Sequence, residues 1–140
     1  MDESPRRGNK RVRKLVSITL IIPKIQKSLN ILLRQHWASF RKEQAIFDML
    51  THASYTRGLG RRKKQDVNFK GRKVKITYTL YFKDSRKRDL SNYGQKMLDD
   101  SLVKEGIIDD DNCKVIIEEA VRIRQDKYNE RTEILIEEAQ

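Results

Sequence analysis

Residues 74–82 read VKITYTLYF, and this stretch decides the fold. Val74, Ile76, Tyr78 and Leu80 fall on one side of an extended chain, and Lys75, Thr77, Thr79 and Tyr81 on the other. Alternation in β-branched and aromatic residues is the pattern of a strand. After it the period changes. Lys83 to Arg88 is a charged turn, and from about Asn92 to Glu105 the apolar residues Tyr93, Met97, Leu98 and Leu102 form one side of a helix. Gly106 is placed to end that helix, because glycine accepts the left-handed conformation needed there. Ile107-Ile108 is a short apolar link. Val115 to Arg124 and Thr132 to Glu137 then return to strand composition, joined by the polar residues 125–131.

Upstream, Arg57 to Arg72 (RGLGRRKKQDVNFKGR) is a basic, glycine-containing loop whose composition does not promise a core. A helix is expected near Trp37 to Ala53, with Trp37, Phe40, Phe47 and Leu50 as its buried face. Residues 24–36 read as a connection. Before it, Val16, Ile18, Leu20 and Ile22 alternate with Leu15, Ser17, Thr19 and Ile21, and Pro23 closes the strand. One face is wholly apolar and the other mixed but uncharged, which predicts a central position in the sheet. Residues 1–12 are polar, charged and aperiodic, and read as a basic disordered tail. The order is β-α-β-α-β-β, an α/β (α+β) fold in which helices pack on a mixed sheet and residues 13–140 form one domain.

The chain has 140 residues, enough to bury a core without disulfides or a structural metal. No apolar run approaches the roughly 20 residues of a membrane-spanning helix, and no membrane partner is expected. The single cysteine, Cys113, fits a reducing, intracellular setting. The net charge of +11 is uneven: residues 1–88 hold 24 Lys and Arg against 6 Asp and Glu, and residues 89–140 hold 7 against 14. A basic segment joined to an acidic one suits a polyanion platform carrying a metal site. Arg61, Arg62, Lys63, Lys64, Lys70, Arg86, Lys87 and Arg88 are the candidate phosphate contacts.

Acidic residues cluster on either side of the predicted helix. Asp89 precedes it and Asp109-Asp110-Asp111 follow, while Lys96 and Asp100 stand one helical turn apart. Carboxylate oxygens suit hard divalent cations, and a lysine nearby would stabilise charge on a reacting phosphate. A plainer reading makes Asp89 or Ser91 a helix cap, the triplet an acidic turn, and Lys96 with Asp100 a surface ion pair.

Residues 86–115, RKRDLSNYGQKMLDDSLVKEGIIDDDNCKV, resemble the signature of the RusA family of Holliday-junction resolvases. That signature is a basic run, Arg-Asp-x-Asp-Asn, a helix with Lys and Asp, and an Asp-Asp pair before an apolar strand. Ile21-Ile22-Pro23, Ser28-Leu29-Asn30 and His36-Trp37 resemble the family's opening motif, so the likeness covers most of the chain. It implies a homodimeric Mg²⁺-dependent endonuclease, with Mn²⁺ as a substitute, that cuts four-way DNA junctions in recombination and repair. The setting it implies is the cytoplasm of a bacterial cell, with phage or prophage origin included.

The family's first metal-binding aspartate maps onto Asp89, and its second onto Ser91, a weaker ligand that would act directly or through water. The Asp-Asp pair maps onto Asp110-Asp111, or onto Asp109-Asp110. The catalytic lysine maps onto Lys96, or onto Gln95 if no residue is inserted, and the helical aspartate onto Asp100 or Asp99. With Ser91 in place of a carboxylate, three explanations compete: the missing ligand comes from Asp99, Asp100 or the triplet, the chain binds branched DNA without cutting it, or Ser91 is an introduced change that silences the enzyme. Phe69 is a candidate for stacking on an unpaired base or for packing on the domain. His36 and Trp37 read as structural, and Ile134 and Ile136 as core or dimer contacts.

Overall fold

The computed structural model describes residues 15–139, so the expected tail over residues 1–12 lies outside the described residues. Four strands form one sheet: β1 (Ser17–Ile22), β2 (Val74–Phe82), β3 (Ile116–Gln125) and β4 (Arg131–Glu138). Their order is β1-β4-β2-β3. β4 runs antiparallel to both β1 and β2, whereas β2 and β3 are parallel. Three α-helices, α1 (Leu29–Arg34), α2 (Trp37–Leu59) and α3 (Lys96–Lys104), complete a mixed α+β domain. No helix among the described residues is long and apolar enough to cross a membrane.

Alternation builds the core as expected. Ile18, Leu20 and Ile22 of β1, Val74, Ile76 and Tyr78 of β2, and Ile134 and Ile136 of β4 share one buried face. Phe47, Tyr55 and Leu59 of α2 and Met97, Leu98 and Leu102 of α3 join the same cluster. Each such side chain, fully buried, contributes about 1.5–3 kcal/mol. Ile134 and Ile136 are thus core residues.

Several expectations need correction. β1 is an edge strand, not a central one. Its uncharged outer side, Ser17, Thr19 and Ile21, is exposed, and α2 lies along the strand edge. Ser54 Oγ donates to Ile21 O at 2.7 Å, and Arg62 Nη1 donates to Ser17 O at 3.2 Å. Gly58 permits the approach: a Cβ there would sit 3.0 Å from Thr19 O. The element order gains a helix, because α1 lies inside the presumed connection over residues 24–36. It is six residues long and buries only Leu32, too little to leave an amphipathic period. α2 runs on past Ala53 to Leu59, into the basic loop, and buries Tyr55 and Leu59 in this extension. Val67 and Phe69 in that loop are also buried, so Phe69 packs in the core and is not available to a base. Trp37, assigned to the buried face of α2, is 68% exposed.

The helix expected over 92–105 is broken. A short 3-10 turn, Leu90–Tyr93, precedes α3. Gln26 bridges the break: its Nε2 donates to Gly94 O at 2.7 Å and its Oε1 accepts from the Met97 N–H at 2.9 Å. At the other end, Gly106 has φ +80. Its N–H bonds Val103 O while the Ile107 N–H bonds Leu102 O, so two free helix carbonyls are satisfied and Ile107 turns into the core. Gly106→Ala is expected to cost about 1–2 kcal/mol, because the left-handed conformation strains a Cβ. Urea unfolding of the two proteins measures that loss.

Candidate functional site: a carboxyl pair on the crossover between parallel strands

Parallel neighbours cannot be joined by a tight turn, so the chain must cross from the end of β2 to the start of β3. The crossover carries α3 across the buried face of the sheet. Asp99 lies on the inner side of α3, only 9% exposed. Its Oδ1 accepts a hydrogen bond from the Tyr78 hydroxyl at 2.5 Å. Tyr78 is the middle residue of β2 and fully buried.

The second carboxyl comes from β3. Val74 pairs with Ile116, but Lys75 pairs with Glu118, so Ile117 is an extra residue in β3. A bulge of this kind reverses the facing of every residue beyond it. Without it Glu118, Ala120 and Arg122 would align with the buried residues of β2. With it Glu119, Val121 and Ile123 pair with Ile76, Tyr78 and Leu80. Glu119 thereby reaches hydrogen-bonding distance of Asp99.

Two carboxyls so close cannot both ionise cheaply. Burial, followed by the charge and hydrogen bond of Glu119, pushes Asp99 up to about 8. Glu119 is exposed along β3, yet desolvation of its carboxyl beside Asp99 raises it too, and the charge of Asp111 raises both carboxyls. Burial and the neighbouring Asp99 hold the Tyr78 phenol well above its ordinary range. Near neutral pH the pair therefore keeps a proton between its oxygens.

Three residues before Asp99, at the start of α3, Lys96 Nζ bonds Asp111 Oδ2 at 2.8 Å and Asp100 Oδ1 at 3.0 Å. These bonds raise the lysine above its usual range, and the bond to Lys96 lowers Asp111. The other candidate residues are more dispersed. Asp89 precedes the Leu90–Tyr93 turn and lines an exposed depression with Arg86, Lys87, Arg88, Asn92 and Tyr93. Ser91 is exposed in that turn. Asp109 Oδ2 accepts from the Gly71 N–H at 2.5 Å, and Asp110 Oδ1 from the Asp111 N–H at 2.7 Å. Among the described residues no three His, Cys, Asp or Glu side chains already form a metal-holding group, so Asp89, Ser91, Asp110 and Asp111 are not gathered as one ligand set. The Asp99–Glu119 pair, two oxygen donors held around a proton, has the donor chemistry of a hard-cation seat.

The candidate phosphate contacts also divide. Arg62 spends its guanidinium on the carbonyls of Ser17, Gly58 and Leu59. Arg88 stacks over Phe82 at 3.7 Å and pairs with Asp84, with its side chain only 7% exposed. Arg61, Lys63, Lys64, Lys70, Arg86 and Lys87 are exposed. The first four precede β2 and the last two follow it, so nine residues of strand, roughly 30 Å, separate the two groups. The carboxyl pair meets β2 midway between them.

Glu119 is the site residue that sequence reasoning missed. Its signal was an acid sharing the parity of Ile117, Val121 and Ile123 in a predicted strand. No family model matches the chain, and no curated protein matches it.

The raised carboxyls set a pH dependence. The folded chain keeps a proton on Asp99 that the unfolded chain releases above the ordinary value of 3.8. The stabilisation is complete below that value and is lost as pH rises through about 8. Asp99→Asn is expected to flatten this slope. Urea unfolding between about pH 5 and pH 9 should show the native protein losing stability relative to the variant.

Proposed function

We propose that this chain is a Mg²⁺-dependent endonuclease that cuts branched DNA, four-way junctions in particular, as a homodimeric Holliday-junction resolvase of the cytoplasm. The observation that carries the reading is the Asp99–Glu119 pair; Asp99 and Lys96, which is linked to the pair through Asp111, lie on the segment whose sequence resembles the RusA signature. A structural carboxyl would have a cation or several N–H donors around it. This pair instead has a second carboxyl, a phenol and the charge of Asp111, an arrangement that favours any divalent cation able to replace the shared proton.

In this reading Asp99 and Glu119 are the principal ligands. Asp111, paired with Lys96, bears on them through its charge, and Asp89 and Asp110 lie outside the set. When bound, the ion supplies Lewis-acid polarisation of the scissile phosphate. Tyr78 holds the Asp99 carboxyl in one orientation through its hydroxyl. Lys96, exposed and already drawn toward the acidic residues, neutralises charge that develops on the phosphate. Arg61, Lys63, Lys64 and Lys70 on one side, and Arg86 and Lys87 on the other, grip separate stretches of DNA backbone.

A silent, binding-only protein is the second reading. It is favoured by Ser91, exposed where the family signature has a carboxylate.

Cleavage of a labelled four-way junction with and without Mg²⁺ tests the two. Symmetric nicking is expected, lowered about a hundredfold or more by Asp99→Asn, Glu119→Gln or Lys96→Ala. Asp89→Asn should have a smaller effect. Mg²⁺ should also raise the melting temperature of the native chain but not of Asp99→Asn. Junction binding without nicking, with nicking gained in Ser91→Asp, would establish the second reading. In either case affinity should fall by a factor of about 10³ or more between about 50 and 200 mM salt if six or more phosphates are neutralised.

A further inference from the structure

The corner between α1 and α2 places apolar side chains in water. Leu33 is 84% exposed and Ile31 about half, and Trp37 opens α2 with its ring outside the core. Burying a tryptophan is among the larger gains available to a small domain, yet this one is turned outward and held there. His36 caps the helix, its Nδ1 accepting from the Ala38 N–H at 3.1 Å, which fixes the first turn. The Arg41 guanidinium lies 4.8 Å from the centroid of the indole. Trp37, Ala38, Arg41, Lys42 and Ala45 line a shallow cleft.

The surrounding charge has one sign. From Val16 to Lys42 the chain contains no Asp or Glu, and Lys27, Arg34, Arg41 and Lys42 are all exposed. A second copy docked face to face here would bring two sets of four cations together with no acidic residue from this stretch to answer them. A polyanion answers all of them. The corner is also tied to the crossover segment. The Asn30 N–H donates to Asn92 Oδ1 at 3.1 Å, within the turn that follows Arg86-Lys87-Arg88-Asp89.

We propose that Trp37, with Arg41 stacked on its ring and Leu33 exposed on the preceding helix, is a platform on which an unpaired base of the bound DNA stacks. Every nucleobase has a π face, so such a platform needs no particular sequence, and the neighbouring cations hold the backbone of the same strand. A fully paired duplex offers no free face and gains nothing from it. The platform would make the protein prefer branched or gapped DNA over duplex, and in that sense the inference rests on the reading of the chain as a DNA-binding protein.

Trp37 is the sole tryptophan, so its emission reports the contact directly. Titration of the full chain with a short oligothymidine should quench that emission saturably, and paired duplex of equal length should not. Trp37→Ala should weaken binding of the oligonucleotide and of a four-way junction about 5- to 150-fold, with duplex affinity unchanged within about twofold and Trp37→Phe keeping most of the affinity. Saturable binding without a change in emission, or a Trp37→Ala protein that binds like the native one, would overturn the proposal. So would a Trp37→Ala protein unchanged toward DNA but altered in sedimentation, since the corner would then be a protein interface. Absence of any nucleic-acid binding in low salt removes the DNA reading and this inference together. Quenching by a protein that cuts no junction supports the platform and sinks only the nuclease reading.

Discussion

The parallel pairing of β2 with β3 is the constraint from which the rest of the molecule follows. An antiparallel neighbour would need only a hairpin turn. A parallel one forces residues 83–115 to travel back along the sheet, and such a crossover is stable only if it buries an apolar stripe on the way. Met97, Leu98, Leu102, Ile107 and Ile108 supply that stripe. Asp99 falls within it and would be prohibitively costly there as a lone charge. The Tyr78 hydroxyl beneath it and the Glu119 carboxyl beside it make the position tolerable, and they make it chemically unusual as well.

The crossover helix is held from behind. Asp48 of α2 accepts hydrogen bonds from Ser101 Oγ at 2.7 Å, Lys104 Nζ at 3.0 Å and Gln44 Nε2 at 3.1 Å. Gln44 also donates to Met97 O at 2.9 Å. These contacts fix the rotation of α3 about its own axis, and that rotation determines whether Asp99 faces the sheet. Gln26 does the same for the helix start, by satisfying the polar groups at the break between the 3-10 turn and α3. The long helix and the connection before it therefore position the carboxyl pair without touching it.

Much of this was legible in the residues. The bounds of β2 follow from strict alternation, and the end of α3 from a single glycine. The pairing of Lys96 with Asp100 follows from their helical spacing. Other features depend on partners that a single strand or helix does not declare. A bulge appears only when two strands are laid side by side, so IIEEAVRIRQ gives Glu119 the parity of Val121 and Ile123 but not the β2 partner, Ile76, that brings it toward Asp99. Phe69 sits in a run of cations yet is buried, because its N–H bonds Ile107 O at 2.9 Å and pulls the loop onto the core. Trp37 follows the apolar spacing of α2 but falls at its first residue, ahead of the part of the helix that lies on the sheet. The two basic groups look like neighbours of one site until the length of β2 is placed between them.

The sheet also has unequal sides. Along β1 the outward carbonyls of Ser17 and Ile21 are already occupied by Arg62 and Ser54, whereas β3 pairs with β2 alone among the described residues. Among the described residues, strand-to-strand growth then has its open edge at β3. Two copies joined there would each present a closed edge to the outside, so such an assembly terminates itself at two and cannot run on into a fibre.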